Sequence, residues 1–311
     1  MILATVYADI FDYPLTYNEM DKFQITNYKC HSEKRSDEVT AKAGSPAFGR
    51  DPAEAVARCG GTIPTVRLKS YGIPILHRDD ISYKNGYYFL RGREKIINIR
   101  NEREEYSRDK WTKAKKAASL LKIIPTVKMV GVTGSLAMNN SREDDDIDFF
   151  IITARGTLWL TRFFTTILLQ LKGVRRGPGG TNNKDKICLN MFMSEDNLTL
   201  TVSNRDIFTA HEVVQVRKIW DKSNTYVNFL SANFWVRDFL PNSLNFPLKE
   251  GKRLTKKIFS LLMPFEILLR TIQIWYMKKR RTTEVISPEL IMFHPGNTRD
   301  RMIQEYMKRL G

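Results

Sequence analysis

The residues best suited to chemistry are two aspartates, Asp146 and Asp148, in the stretch DDDIDFFIIT. Alternate residues of a β-strand point to the same face, so a strand here presents both carboxylates on one side and Ile147 on the other. Two neighbouring carboxylates repel each other unless a cation lies between them. Mg²⁺ suits such a pair, because it prefers oxygen ligands and shares them with phosphates, and Mn²⁺ is the alternative. The pair therefore predicts a divalent metal site.

A second feature is the Gly134-Ser135 pair, which follows an apolar run and is separated from Asp146 by ten residues. A turn that opens a helix leaves backbone N–H groups unpaired, and these groups can hold an anion. Glycine also lets a phosphate approach without a Cβ in the way. We therefore predict a phosphate site at this turn. The alternative is an acidic surface loop that caps a strand, in which Gly-Ser is only a turn and Asp144 and Asp145 compete with the pair for register.

The ordered combination of strand, Gly-Ser, short helix, Asp-x-Asp and strand resembles the signature of the DNA polymerase β-like nucleotidyltransferase superfamily. The likeness is to its minimal bacterial members, which often follow a winged helix, and the motif covers the 24 residues Val130–Thr153. The resemblance implies that Gly134 and Ser135 hold the phosphates of an NTP. It also implies that Asp146 and Asp148 bind the Mg²⁺ that promotes attack on the α-phosphate, which makes them the catalytic residues.

The third carboxylate of that superfamily has no counterpart in this sequence. Members usually supply it from a later strand, often as the base that activates the attacking hydroxyl. The candidate strand, KICLNMFM, contains no acid, and Asn190 stands at the expected position. Asparagine can coordinate a metal but cannot act as a base. Three explanations remain open: weaker metal binding, a base from elsewhere in the chain, or a domain that binds nucleotide without fast turnover.

The chain of 311 residues is predicted to have three parts. Residues 1–105 read as a winged-helix-like region that is interrupted by a flexible insertion at about 26–65. Residues 106–205 are predicted to form an α/β (α+β) nucleotidyltransferase domain with a mixed sheet. Residues 206–311 have apolar residues at helical spacing and prolines between them, which predicts a helical C-terminal region.

Local patterns assign the elements of the first two parts. Two short helices are predicted before residue 26, and Thr16 is the predicted N-cap of the second. Asn85-Gly86 predicts a β-hairpin. A basic amphipathic helix is predicted to start at Ser107, with its lysines on a solvated face. Four strands are predicted, at Val127–Val132, Ile147–Thr153, Ile187–Met193 and Leu198–Val202. One long helix is predicted at Thr157–Val174.

Charge and cysteine content restrict the partners and the compartment. The formal net charge is +16 and the pI is about 9.7, which favours contact with polyanions such as NTP or nucleic acid. Arg175 and Arg176 are candidates for such contact, with solvated surface as the default. The three cysteines, Cys30, Cys59 and Cys188, have no metal-site spacing, so the sequence predicts neither a zinc site nor disulfides and favours a reducing cytoplasm.

The most apolar segment, Ile258–Met277, contains Pro264, Glu266 and Arg270. These residues interrupt the run of about 20 apolar residues that a transmembrane helix needs. The segment is therefore predicted to be an amphipathic helix packed on the protein, and no transmembrane segment is expected.

Three functions are compatible with the sequence. The first is a Mg²⁺-dependent nucleotidyltransferase that moves NMP from an NTP to a hydroxyl acceptor on a protein, an RNA or a small molecule. The alternative is a degenerate nucleotidyltransferase-fold module that binds nucleotide or nucleic acid with weak or no catalysis. A third is peripheral membrane association through residues 258–281, whose basic end reads KKRR.

Overall fold

The structure, a computed structural model, describes residues 2–25, 80–177, 183–244, 262–278, 285–292 and 297–310. The insertion predicted at about 26–65 lies outside these residues. The strands are β1 (Ile81–Lys84), β2 (Tyr87–Leu90), β3 (Val127–Val132), β4 (Ile147–Thr153), β5 (Ile187–Ser194), β6 (Arg217–Asp221), β7 (Val285–Ile286) and β8 (Leu290–Met292). The α-helices are α1 (Ile2–Asp9), α2 (Tyr17–Lys22), α3 (Ile96–Leu121), α4 (Gly134–Ala137), α5 (Leu158–Leu171), α6 (Ile207–Gln215), α7 (Thr225–Ala232), α8 (Met263–Lys278) and α9 (Asn297–Leu310).

One six-stranded mixed sheet organises the described part of the chain, in the order β6-β3-β4-β5-β8-β7. Strands β4 and β5 are parallel, and every other neighbouring pair in this sheet is antiparallel. A parallel pair requires a crossover connection, and α5 supplies it. The prediction of an α/β domain with a mixed sheet is confirmed at this level.

Strand β4 is apolar on both faces because both faces of the sheet are covered. Phe150 and Ile152 pack with residues of α1, α6 and α7, whereas Phe149 and Ile151 pack with residues of α3 and α5. A strand buried on both sides reads as a continuous apolar run. Asp148 shares the face of Phe150, so its carboxylate lies on the side that α1 and α6 cover.

The N-terminal elements that were predicted are present. Thr16 caps α2 through a capping box with Glu19. Asn85 (φ 53°) and Gly86 (φ 86°) adopt the left-handed backbone of a tight hairpin turn between β1 and β2. Arg100 of α3 binds both carboxylate oxygens of Glu19, at 2.8 and 2.9 Å, so α2 is fixed to the long helix.

The predicted start of α3 is wrong, and the predicted solvated face is wrong for Lys110 but confirmed for Lys113, Lys115 and Lys116, which are exposed. The helix begins at Ile96 and not at Ser107, because the segment before Ser107 is rich in helix formers and continues the same helix. Ser107 lies buried within it and donates to the carbonyl of Arg103. Lys110, which was placed on a solvated face, has a side chain only 1% exposed.

The strand predicted at Leu198–Val202 is also absent from the described structure, where this stretch leads into a short 3-10 helix at Val202–Asn204. The C-terminal region 206–311 is not only helical, since β6 pairs with β3, and β8 pairs with β5. These strands have two to five residues, too few to show a period of two.

The apolar segment at 258–277 contributes α8, which packs on α5, as predicted. Within the described ranges, every helix is too short or too polar to traverse a bilayer.

Candidate functional site

The two predicted halves of the site meet where β3 ends and β4 begins. The backbone N–H of Thr133 donates to the carbonyl of Asp148 at 3.0 Å, which joins the two strand ends. Gly134 has a φ of +65°, and a Cβ at this position would lie 2.8 Å from Oδ2 of Asp148. Only glycine fits both the backbone conformation and the close carboxylate. Gly134 and Asp148 are therefore in close contact.

Ser135 contacts a different acid from the two that were singled out. Its hydroxyl donates to Oδ2 of Asp145 at 2.9 Å, and the same oxygen accepts the backbone N–H of Arg142 at 2.9 Å. Asp145 thus holds the Gly-Ser turn against the acidic loop. This role could not be predicted from the sequence, because Asp145 belongs to a run of four consecutive acidic residues.

Lys110 supports both loops that carry the site. Its ammonium donates to the carbonyls of Glu143 and Asp145, at 3.0 and 2.6 Å, and to the carboxylate of Asp185 at 3.0 Å. Glu143 and Asp145 precede β4, and Asp185 precedes β5. A buried ammonium is stable only when such partners surround it. The position of the acidic pair therefore depends on a lysine from the preceding helix.

Cys188 is the residue of β5 that pairs with Asp148 across the parallel ladder. Its Sγ and one carboxylate oxygen each from Asp146 and Asp148 all lie within 4.8 Å of one another. Asn190, the predicted third-carboxylate position, is buried two residues further along, beside a register shift. The sequence could not reveal Cys188, because its place depends on the register between two strands that are far apart in the chain.

The electrostatics of this cluster favour a cation. Burial, and then repulsion by Asp146, raises the pKa of Asp148 well above its ordinary value. Burial, and then the charge of Asp148, raises the pKa of the Cys188 thiol. One positive group is already present, because Nη1 of Arg176 lies 2.6 Å from Oδ2 of Asp146 and 3.8 Å from Sγ of Cys188. Two carboxylates and a thiol are donors that suit a divalent metal ion.

A cavity of about 460 Å³ opens beside the acidic pair. Gly134, Ser135 and Asp148 belong to its lining, as does Glu212 of α6. The lining also contains aromatic and basic side chains, among them Tyr7, Phe208, Arg103 and Arg142. Its volume is within the range of ligand sites, about 300 to 1,000 Å³. The cavity is therefore large enough for a small-molecule ligand.

His211 belongs to the core around this cavity. It is 2% exposed, and its ring stacks on Tyr7 with centroids 4.0 Å apart and is also in contact with Phe23. Among the described residues, neither ring nitrogen has a hydrogen-bond partner. Burial lowers the pKa of His211 to about 3, so the ring is neutral at pH 7. This environment is that of a structural histidine.

Comparison with known proteins identifies no relative. No protein-family model, curated protein or solved structure matches the chain. The motif, the geometry of the acidic cluster and the adjoining cavity are therefore the features that bear on function.

Proposed function

We propose that the chain is a divalent-metal-dependent nucleotidyltransferase that moves NMP from an NTP to a hydroxyl acceptor. The observation that carries the proposal is the close approach of Asp148, the second acid of the Asp146–Asp148 pair, to Gly134 in the lining of a cavity of about 460 Å³. The same proposal includes a nucleotidyltransferase fold for the central domain and a winged-helix-like N-terminal region.

Each residue of the site has a role in this reaction. Asp146 and Asp148 would hold Mg²⁺ or Mn²⁺, which when bound neutralises the triphosphate and aligns the reacting oxygens. Gly134 lets a phosphate approach the carboxylates, and the Ser135 hydroxyl can turn from Asp145 to a phosphate oxygen. Arg176 is 42% exposed and can move from Asp146 to the triphosphate.

Glu212 is proposed to take the proton of the acceptor hydroxyl in place of the missing third carboxylate. It lines the same cavity as Asp148, and its charge contributes to the raised pKa of Asp148. A carboxylate in the lining of the same cavity is a candidate base for an acceptor hydroxyl bound there. A Glu212→Gln variant is expected to bind NTP normally and to transfer NMP at least about a hundredfold more slowly.

Transfer of labelled NMP tests the proposal. Wild-type protein is incubated with labelled NTPs, Mg²⁺ or Mn²⁺, and acceptors that include the protein itself and RNA. The Asp146→Asn, Asp148→Asn double variant should lose labelling, whereas Asp144→Asn, an exposed acid of the same loop, should keep it. Equal labelling by wild type and the double variant would refute the assignment.

A nucleotide- or nucleic-acid-binding module without transfer is the second candidate. Two features favour it: the net charge of +16, and Asn190 at the position where the superfamily has its third carboxylate. Its signature is salt-dependent binding to duplex DNA by the full chain, without NMP transfer to any acceptor. A variant that lacks residues 26–65 separates a contribution of the insertion from that of the rest of the chain.

A further inference from the structure

We propose that Cys188 is a metal ligand, and that Asp146, Asp148 and Cys188 form a site that prefers a borderline divalent cation such as Zn²⁺ to Mg²⁺. The inference rests on the metal site of the proposed function and names the ion that this chain's own residues select. Neither the superfamily resemblance nor the cysteine spacing predicted a thiol at this place.

The backbone determines that the three side chains converge. Strands β4 and β5 run parallel, and Cys188 is the Cα partner of Asp148. The two oxygens and the sulfur lie within 4.8 Å of one another, and all three residues are partly exposed to solvent. Bonds of about 2.0 Å to oxygen and 2.3 Å to sulfur, at tetrahedral angles, place two ligand atoms of one ion about 3.3 to 3.5 Å apart. Small side-chain rotations close the remaining difference.

The donor set selects the ion. Mg²⁺ takes oxygen ligands, so it would use the two carboxylates and leave the thiol outside its coordination shell. Zn²⁺ and Co²⁺ take carboxylate oxygen and thiolate sulfur together. On binding, the Cys188 thiol gives its proton to solvent and its sulfur forms the bond to the metal. The third protein ligand therefore adds affinity for a borderline ion and none for Mg²⁺.

Arg176 is independent support, because it is a cation that already contacts two of the three ligand residues. Its guanidinium lies 2.6 Å from Asp146 and 3.8 Å from the sulfur of Cys188. A metal ion must displace it from Asp146. The backbone N–H of Arg176 donates to the carbonyl of Ile187 at 2.9 Å, so the side chain can leave while its backbone stays in place.

Cobalt spectroscopy on the full chain tests the inference. Co²⁺ bound to a thiolate gives a strong near-ultraviolet charge-transfer band, which is expected in wild type and absent in Cys188→Ser. The Cys30→Ser, Cys59→Ser double variant is the matched control and should keep the band, because it retains Cys188. In calorimetry, Cys188→Ser should weaken Zn²⁺ binding at least tenfold and leave Mg²⁺ binding unchanged, whereas Arg176→Met should strengthen Zn²⁺ binding several-fold.

The outcomes separate this inference from the proposed function. If Co²⁺ binds without the band, and binding is lost in the Asp146→Asn, Asp148→Asn variant, Cys188 is not a ligand and the inference fails while the metal site stands. Equal Zn²⁺ affinity of wild type and Cys188→Ser also overturns it. If no divalent cation binds the wild type, with or without NTP, the metal site of the proposed function fails as well.

Discussion

Gly134 is the residue on which the two halves of the site depend. Its φ of +65° disfavours a side chain, and an added Cβ would lie only 2.8 Å from Oδ2 of Asp148. The spacing of the motif predicted Gly134, Ser135, Asp146 and Asp148, because the chemistry requires those residue types in that order. Lys110 could not be predicted in the same way, because its role depends on which face of a helix the tertiary structure buries.

A Gly134→Ala substitution should both destabilise the protein and disrupt the site. We expect a loss of about 1 to 3 kcal/mol in the free energy of unfolding and at least tenfold weaker metal binding. Gly156→Ala is the matched control, because Gly156 has a φ of +59° with no atom near the added Cβ. Urea denaturation and calorimetry compare the two variants. Equal metal affinity in both would contradict the proposed contact with Asp148.

Replacement of Lys110 should cost more than replacement of its neighbour Lys113. Lys110→Met leaves Asp185 and two carbonyls without their buried donor, and we expect a loss of about 3 to 5 kcal/mol. Lys113 also contacts Asp185, at 2.5 Å, but its side chain is 48% exposed, so Lys113→Met should cost at most about 1 kcal/mol. Chemical denaturation of both variants measures the difference, and similar losses would argue against a supporting role for Lys110.

Within the six-stranded sheet, the long strands were predictable and the short ones were not. β3, β4 and β5 are apolar runs long enough to be recognised, and their predicted bounds agree with the structure to within one residue. β6, β7 and β8 are short segments that become strands because a sheet edge pairs with them. The start of α3 was missed because Ser107, although a good N-cap residue, lies inside a longer helix.

The junction of α5 and α8 depends on Glu266. Its carboxylate accepts the backbone N–H groups of Trp159 and Leu160, both at 2.8 Å, and so caps α5 from another helix. A Glu266→Ala variant should lose about 1 to 2 kcal/mol of unfolding free energy. Glu266→Gln retains one acceptor oxygen and should lose less. Thermal and urea denaturation rank the variants, and an unchanged Glu266→Ala protein would refute the capping role.

The outer face of α5 and α8 should bind anionic membranes. Large apolar side chains form exposed stripes on both helices: Phe164, Ile167 and Leu171 on α5, and Phe265, Leu268, Ile272, Trp275 and Tyr276 on α8. The basic sequence after Tyr276 complements a negative surface. We expect co-sedimentation with phosphatidylserine vesicles, weaker binding to neutral vesicles, and a loss of binding in Leu171→Ser, Trp275→Ser. Failure to sediment with anionic vesicles would remove this function.

At the scale of the whole molecule, the three parts predicted from the sequence do not correspond to separate sheets. Segments from residues 127–194 and from the C-terminal region share one sheet. Composition could not show this, since helical spacing dominates after residue 206 and pairing between distant strands leaves no local pattern. The basic charge and the presence of an apolar core could be predicted from composition alone, because neither depends on strand register.

The stability of the whole chain should fall in mild acid partly because of His211. Its pKa in the folded protein is about 3, below its ordinary value of about 6.5. The unfolded chain therefore takes up a proton at a higher pH than the folded protein does. As the pH falls from 6.5 toward 3, the free energy of unfolding consequently decreases by about 1.4 kcal/mol per pH unit. His211→Phe, which can still stack on Tyr7, should flatten this slope between pH 6.5 and 4.5. Urea denaturation at three pH values measures it, and identical slopes would contradict burial of a neutral ring.

The strand order also determines when the sheet can close during synthesis. β3, β4 and β5 leave the ribosome in succession and can pair with one another, but each outer strand of this trio keeps an open edge. β6 covers β3 only after residue 221 has emerged, and β8 covers β5 only after residue 292. The three-strand unit that carries the acidic pair and Cys188 therefore keeps both outer edges unpaired until residue 221 has emerged, and the edge of β5 unpaired until residue 292 has emerged. The nascent chain is most exposed to aggregation and most in need of a chaperone in this interval.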